Sequence, residues 1–121
     1  TIKGSVETIQ GDPYPSDINT GTSTTVWTAS SDIVIGAKAT ARVQNWNGAS
    51  VEMFDVMMAK QYDNSNVSFS VSNRLKTNDN ATDIIVNVDL DGSNRLILSL
   101  EPTDYSAAVT YSVTEFNNTY D

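Results

Sequence analysis

Residues 33 to 43 read IVIGAKATARV, and this stretch decides the fold class. Every odd-numbered position from Ile33 to Val43 is apolar, whereas most of the even-numbered positions between them are polar or glycine. Because the side chains of a β-strand point alternately to its two faces, the stretch predicts a strand with one buried face and one face in water.

The same period of two recurs along the chain, and no stretch shows the three-to-four-residue spacing of an amphipathic helix. The predicted strands are, in chain order, 33–43, 51–60, 67–72, 84–90, 96–100 and 109–114, with weaker candidates at 2–9 and 22–28. Turns rich in Asn, Asp and Gly separate many of them, as hairpins require. The sequence therefore predicts an all-β fold, a single antiparallel β-sandwich or jelly-roll-like domain of seven to eight strands.

The chain length of 121 residues suits one domain covering 1–121. Within it, residues 1–21 form a candidate N-terminal strand or arm, and residues 117–121 a C-terminal tail. Gly11–Gly21 contains Pro13 and Pro15, which lack amide protons, so this segment is predicted as a surface loop or arm and not as a central strand. The longest later link, Leu75–Thr82, is predicted to cross between the two sheets.

One predicted strand, Val51–Lys60, breaks the simple alternation. Val51 and Met53 are apolar on one parity, whereas Phe54, Val56 and Met58 are apolar on the other. An extra residue near Met53–Phe54, as in a β-bulge, would bring both sets to one face. The alternative is a central strand that is buried on both sides.

Composition excludes several classes of function. The chain contains neither His nor Cys, so it has no imidazole base, no thiolate nucleophile, no disulfide and no metal ligand of either type. The formal net charge of −8 disfavours binding to nucleic acid and to anionic membranes. No apolar run reaches the roughly 18–20 residues of a membrane-spanning helix. We predict no catalytic residues and no cofactor.

The best candidate for a metal site is Asp89-Leu-Asp91-Gly-Ser-Asn94, in which Asp89, Asp91 and Asn94 supply oxygen atoms that suit calcium. A hairpin turn made by Asp91-Gly92 explains the same residues. A second oxygen-rich loop, with weaker support, contains Asp79, Asn80 and Asp83.

One acid, Asp55, lies within an apolar strand, where burial would raise its pKa and favour acid–base chemistry. The bulge described above would instead turn Asp55 outward into water. Since Asp is rarely buried and no partner acid is evident, the solvated position is the expectation.

Aromatic side chains offer a candidate platform for stacking on sugars. They are Tyr14, Trp27, Trp46, Tyr62, Tyr105 and Tyr120. Trp46 lies in a predicted turn, where it either marks an exposed contact or folds over the end of the sandwich as a lid on the core. Trp27 is predicted to belong to the core.

Three stretches resemble the small β-sandwich structural proteins of tailed-bacteriophage virions, which serve as head-decoration, neck, tail or fibre modules. They are the unit Ile33–Lys60 with its Asn-Gly turn, the run Val67–Ser72 (VSFSVS), and the ending Val109–Phe116 (VTYSVTEF). The resemblance implies a symmetric assembly without catalytic residues, located in a virion or outside the cell.

We therefore expect a structural protein that binds copies of itself or other virion proteins. Its expected contacts are the terminal segments, including Thr1–Ile9, together with Trp46, Tyr62 and Tyr120, since terminal arms can add strands to a neighbour's sheet. The alternative is a carbohydrate-binding β-sandwich module that stacks glycans on Trp46 and Tyr62 and is stabilised by calcium at Asp89–Asn94.

Overall fold

The computed structural model describes residues 6–10, 16–46, 50–62, 66–78 and 83–118, and all regular structure within them is β. The strands of these residues are β1 (Val6–Gln10), β2 (Ser16–Ile18), β3 (Thr24–Thr28), β4 (Val34–Asn45), β5 (Val51–Lys60), β6 (Val67–Lys76), β7 (Ile84–Leu90), β8 (Leu96–Pro102) and β9 (Ala107–Asn117).

These strands form two antiparallel sheets. In the large sheet the order is β1, β9, β4, β5, β6, and β2 also pairs with β9. In the small sheet β8 lies between β3 and β7. β1 faces Ser112–Phe116 of β9, and β2 faces Ala107–Val109 of the same strand, so the two short strands occupy successive parts of one edge.

The prediction of an antiparallel all-β sandwich is confirmed. Because β1 and β2 share one edge, the nine strand segments fill eight positions, in agreement with the predicted count. The sequence missed β2, which lies in the segment predicted as a loop or arm. Its position at a sheet edge still agrees with the exclusion of that segment from the centre of a sheet.

The connections follow the predicted plan with one difference. The link after β6 leads from the large sheet to the small one, as expected for Leu75–Thr82. Thr103–Ser106, between two of the predicted strands, is not a hairpin turn, because it leads from β8 in the small sheet back to β9 in the large one. There the Thr103 N–H donates to the Asp83 carbonyl, and the Gly21 N–H donates to the Pro102 carbonyl.

The core lies between the sheets, where the alternation seen in the sequence turns one face of each strand inward. β4 contributes small residues such as Ala39 and Ala41, and β8 contributes the buried Leu98 and Leu100. Trp27 is 4% exposed and belongs to this core, as predicted. Burial of each such leucine stabilises the fold by about 1.5–3 kcal/mol.

Val51–Lys60 is a central strand, but it has neither the predicted bulge nor two buried faces, because β5 alternates without interruption and buries one face. Its pairing with β4 is regular from Gly36–Ala59 to Gln44–Val51, and its even-numbered residues point inward while Met53 and Met57 are exposed. The extra residue lies in the neighbouring strand instead. Met53 faces Leu75 and Asp55 faces Ser72, so β6 has one residue more than β5 over this interval.

The bulge in β6 is formed at Asn73 and Arg74. Asn73 has a φ of 56°, in the left-handed region that Asn tolerates better than most residues. Asn73 Nδ2 donates to Asp55 Oδ2 at 2.8 Å, which ties the bulge to β5. The second residue of the bulge, Arg74, lies over the ring of Phe54, with its guanidinium carbon 5.2 Å from the ring centroid.

Candidate functional site

The predicted contact residues do not come together. Trp46 precedes β5 and Tyr62 follows it, so the length of a ten-residue strand, on the order of 30 Å, separates them. Tyr120 lies outside the described residues. Trp46 and Tyr62 are each more than half exposed, so Trp46 is not a lid on the core, and one stacking platform cannot include both rings.

A different aromatic neighbour lies beside Trp46. The Trp46 N–H donates to the Ser106 carbonyl at 3.1 Å, which joins the β4–β5 and β8–β9 connections at one end of the sandwich. Tyr105, adjacent to Ser106, is half exposed. The sequence included Tyr105 among the candidate aromatics, but only the fold shows that its loop lies next to that of Trp46.

The residues of the predicted calcium loop are held in a hairpin between β7 and β8. Asp91 Oδ1 accepts the N–H groups of Ser93 and Arg95 at 2.8 and 2.9 Å, and Asp91 Oδ2 accepts from Arg95 Nε at 3.0 Å. These backbone hydrogen bonds to Arg95 and Ser93 and the Arg95 guanidinium hold the pKa of Asp91 below its usual value. Asp89 Oδ1 accepts the N–H of Leu90.

The turn itself differs from the expected Asp-Gly geometry. Asn94 adopts a φ of 62°, whereas Gly92 is not among the residues with positive φ. The Asn94 carbonyl accepts from the ammonium of Lys60. The loop oxygens thus face a guanidinium, an ammonium and several N–H groups, an arrangement that stabilises a turn. Within the described residues no three acidic side chains are grouped so that they could hold a metal ion.

The weaker oxygen-rich loop lies mostly outside the described residues, since Asp79 and Asn80 are not among them. Asp83, which is described, forms an ion pair with Lys76. Its carboxylate therefore serves to join the end of β6 to the start of β7.

Asp55 points away from the core, as expected, although regular alternation and not a bulge in β5 places it there. Its carboxylate accepts hydrogen bonds from Asn73 Nδ2 at 2.8 Å and Thr40 Oγ1 at 2.7 Å. These two bonds lower the pKa of Asp55. Asp55 is therefore held in its charged form and links β4, β5 and β6 across the outer face of the large sheet. A catalytic acid, by contrast, needs a raised pKa.

Sequence reasoning missed three charged side chains that are buried at the ends of the inner face. They are Glu52, Lys60 and Glu115. Glu115 accepts the N–H of Ser30 at 2.9 Å and its hydroxyl at 2.6 Å, and Lys60 donates to the carbonyls of Asp32 and Asn94. Continuing the alternation from Phe54 in both directions along β5 would have predicted that Glu52 and Lys60 point inward.

The Glu52 carboxylate is the least well satisfied of the three. Glu52 Oε1 accepts from Arg74 Nη1 at 2.6 Å, but within the described residues Oε2 is buried without a hydrogen-bond partner. Burial raises the pKa of Glu52, against the opposing effect of Arg74. The Arg74 of this pair belongs to the bulge of β6.

The surface that distinguishes this molecule is the outer border of β6 over Val67–Asn73, here called the β6 edge. Among the described residues no strand pairs with its far side. The seven residues read VSFSVSN and carry no charge. Its inward-facing side chains are not fully covered by the small sheet, since Phe69 is 40% exposed and Val67 and Val71 are half-buried.

The hydrogen bonds to β5 fix which backbone groups of the β6 edge are free. The Gln61 N–H donates to the Asn66 carbonyl at 2.9 Å, in line with the register that pairs Lys60 with Val67. In an antiparallel ladder, hydrogen-bonded pairs alternate with non-bonded pairs. The peptide groups of Ser68, Ser70 and Ser72 therefore point to β5, and those of Val67, Phe69 and Val71 point away from it.

The other sheet borders are better protected than the β6 edge. On the other side of the large sheet the border is formed by β1 and β2, which pair with β9 and are only five and three residues long. In the small sheet, β3 is five residues long and its pairing with β8 is irregular between Thr25 and Trp27, while β7 carries the exposed Asp89. Short strands, irregularities and charges are the usual protection of sheet borders against pairing with other chains.

Comparison with protein-family models and with curated proteins finds no match to this chain. No helix that could span a membrane occurs among the described residues. The chain is an antiparallel β-sandwich whose large sheet, among the described residues, ends on one side in the uncharged border of β6.

Proposed function

We propose that the protein is a non-enzymatic structural subunit that assembles with copies of itself or with other proteins of a particle, such as the virion of a tailed bacteriophage, outside the cell. One observation carries the proposal, namely the uncharged β6 edge with its outward-pointing peptide groups. Such a border is a template for another strand, and natural monomers usually block it.

Partial coverage of the inner face adds support to the proposal. The three strands of the small sheet pack on a large sheet that is five strands wide, and Phe69 at its border keeps 40% of its surface in contact with solvent. Pairing at the β6 edge would cover both the free peptide groups and this ring. The chemistry at Asp55 and Asp91 gives no competing site, because donors already surround both carboxylates.

The test is the mass of the protein in solution, measured by sedimentation over a range of micromolar concentrations. We expect species heavier than the 13.1 kDa chain. The variant Phe69→Lys places a charge on the β6 edge and should shift the mass to that of the single chain. Ile85→Lys is the matched control, since Ile85 is an exposed apolar residue on β7. A single chain at every concentration would contradict the proposal.

A carbohydrate-binding module is the second candidate, favoured by the neighbouring loops of Trp46 and Tyr105 at one end of the sandwich. Aromatic faces in water are the groups on which sugar rings stack. On a glycan array, Trp46→Ala should abolish binding while the mass stays unchanged. Tyr62→Ala, at the opposite end of β5, should bind as the unmodified protein does.

A further inference from the structure

We propose that the β6 edge pairs with the β6 edge of a second copy of this chain, antiparallel and about a two-fold axis at Phe69, so that the two large sheets become one continuous sheet. This inference rests on the proposed function and gives it a specific partner, register and symmetry. It is carried by the hydrogen-bond parity of β6 and by the order of its side chains.

The number of free peptide groups that find a partner favours this register. Within the β6 edge, the N–H and carbonyl groups that point away from β5 are those of Val67, Phe69 and Val71. A two-fold axis at Phe69 places each of these residues opposite another member of the same set. Phe69 faces Phe69 of the other copy, and Val67 faces Val71. Each such pair exchanges two hydrogen bonds, so every free peptide group of this segment finds a partner.

The side chains are self-complementary in the same register. The segment VSFSV at 67–71 reads identically in both directions, and its centre is Phe69. Antiparallel two-fold pairing therefore aligns Val with Val and Ser68 with Ser70, and it brings two aromatic rings together across the axis. Cross-strand aromatic and β-branched pairs contribute to sheet stability, and isologous interfaces require this kind of self-matching surface.

Neighbouring registers pair fewer of the free peptide groups and match the side chains of the two copies less well. Centring the axis on Val71 would place Phe69 opposite Asn73, which is in the left-handed conformation of the bulge. Centring it on Ser68 or Ser70 would still pair Phe69 with Val67 or Val71, but it would leave the third of these residues without a partner from the same set. The bulge at Asn73 and Arg74 thus ends the regular part of the border and limits pairing to the symmetric segment.

Charge is compatible with a second copy as the partner. Each chain carries a net charge of −8, so two copies repel each other over most of their surfaces. Within β6 there is no acidic residue, and its two cations, Arg74 and Lys76, form ion pairs with Glu52 and Asp83 of the same chain. The border of β6 therefore brings no acidic side chain of this strand into the interface.

The test is a disulfide that forms only in this register. Ser68 and Ser70 of opposite copies would be a non-hydrogen-bonded pair, with Cα atoms about 4.5 Å apart, which is within the range that a disulfide spans. Because the chain has no native cysteine, Ser68→Cys and Ser70→Cys can be made singly and mixed in equal amounts. Under oxidised glutathione the mixture should give a covalent dimer at several times the yield of either variant alone, because identical positions would lie about 7–8 Å apart on the diagonal.

Circular dichroism first establishes that both variants are folded, and Asn87→Cys, on the exposed face of β7, measures random cross-linking. If the single variants cross-link as well as the mixture, the register is wrong. If the unmodified protein is heavier than one chain but the mixture gives only the yield of Asn87→Cys, the β6 pairing is overturned and the proposed structural function stands. If the protein is also a single chain in solution, both proposals are overturned.

Discussion

The buried position of Glu52 at the end of the sandwich lowers the stability of the fold. Its carboxylate is fully buried, and one oxygen is bound by Arg74 while the other has no partner among the described residues. Leaving a buried acceptor unsatisfied costs about 1–3 kcal/mol. Replacement of Arg74 would leave the whole carboxylate without a hydrogen bond, so Arg74, although its side chain is 41% exposed, is more important for stability than an arginine without a buried partner.

The raised pKa of Glu52 makes a prediction about pH. The folded protein holds the Glu52 proton more tightly than the unfolded chain, so stability falls as the pH rises from the ordinary value of 4.5 through the folded-state pKa. Glu52→Gln removes this dependence. Thermal melts should therefore show the variant gaining stability relative to the unmodified protein between pH 4 and pH 7, by about 1.4 kcal/mol for every unit by which the pKa is raised.

Glu101→Gln is the control for this measurement, because it removes a half-buried acid of the small sheet that is not among the groups that shift the pKa of Glu52. Lowered pKa values at Asp55 and Asp91 act at lower pH, since the stability they contribute is lost only as the pH falls below about their ordinary value of 3.8. A difference between Glu52→Gln and the unmodified protein that stayed constant from pH 4 to pH 7 would contradict the prediction.

At the scale of strands, the sequence correctly predicted the strands whose apolar and polar residues alternate. β4 and β9 were correctly assigned because apolar and polar residues alternate within them, with Ala39 and Val113 turned inward. β5 was misjudged because its inward parity is set by pairing with β4, which turns the charged Glu52 and Lys60 inward and Met53 outward. Apolarity at Val51 and Met53 therefore gave a misleading signal.

The candidate site was beyond sequence reasoning for a related reason. VSFSV would read the same in a central strand as in a border strand, and only the pairing order shows that β6 ends the large sheet. The bulge at Asn73 was equally hidden, because it is defined by the count of residues against β5. Trp46 is more than half exposed, which is one of the two positions that the sequence left open for it, since a tryptophan in a short turn has few routes to burial.

Phe69 lies opposite itself in the proposed pairing, and this gives a prediction for the strand. Phe69→Lys and Phe69→Glu should each weaken association, because like charges would face each other across the axis. An equimolar mixture should form a mixed dimer roughly tenfold tighter than either variant alone, equivalent to about 1.4 kcal/mol. Native mass spectrometry resolves the mixed species from the two identical ones.

The same exchange at Ile85 is the matched control, because that residue is exposed on β7 of the small sheet. Ile85→Lys and Ile85→Glu should associate as the unmodified protein does, alone or mixed. Equal dimer affinity for the Phe69 mixture and for its two components would place Phe69 away from the axis.

At the scale of the molecule, two sheets of unequal width explain why the surface at β6 is open. The small sheet has three strands, and the large one is five wide. Residues of β4, β5 and β9 reach nearly complete burial, as at Val56 and Val113, whereas no residue of β6 is fully buried. A second copy would extend the large sheet and cover the ring of Phe69.

Charge of the whole molecule then sets the dependence of association on salt. Two chains with a net charge of −8 repel each other, and the screening length falls from about 30 Å at 0.01 M salt to about 10 Å at 0.1 M. Since the proposed interface contains no ion pair between copies, screening can only favour it. Sedimentation equilibrium should show the dimer dissociation constant falling several-fold over this range of sodium chloride, whereas an interface held by ion pairs would weaken.

Screening must be separated from the general effect of salt on apolar burial, and a variant with fewer charges does this. Asp17 is exposed on β2, Glu101 is half-buried on β8, and neither strand pairs with β6, so Asp17→Asn with Glu101→Gln removes two of the negative charges without altering the β6 edge. Because long-range repulsion grows with the product of the two net charges, the doubly substituted chain should dimerise more tightly at 0.01 M salt and respond less to added salt. An unchanged response would assign the salt effect to apolar burial, and weaker dimerisation at high salt would show that charged groups hold the copies together.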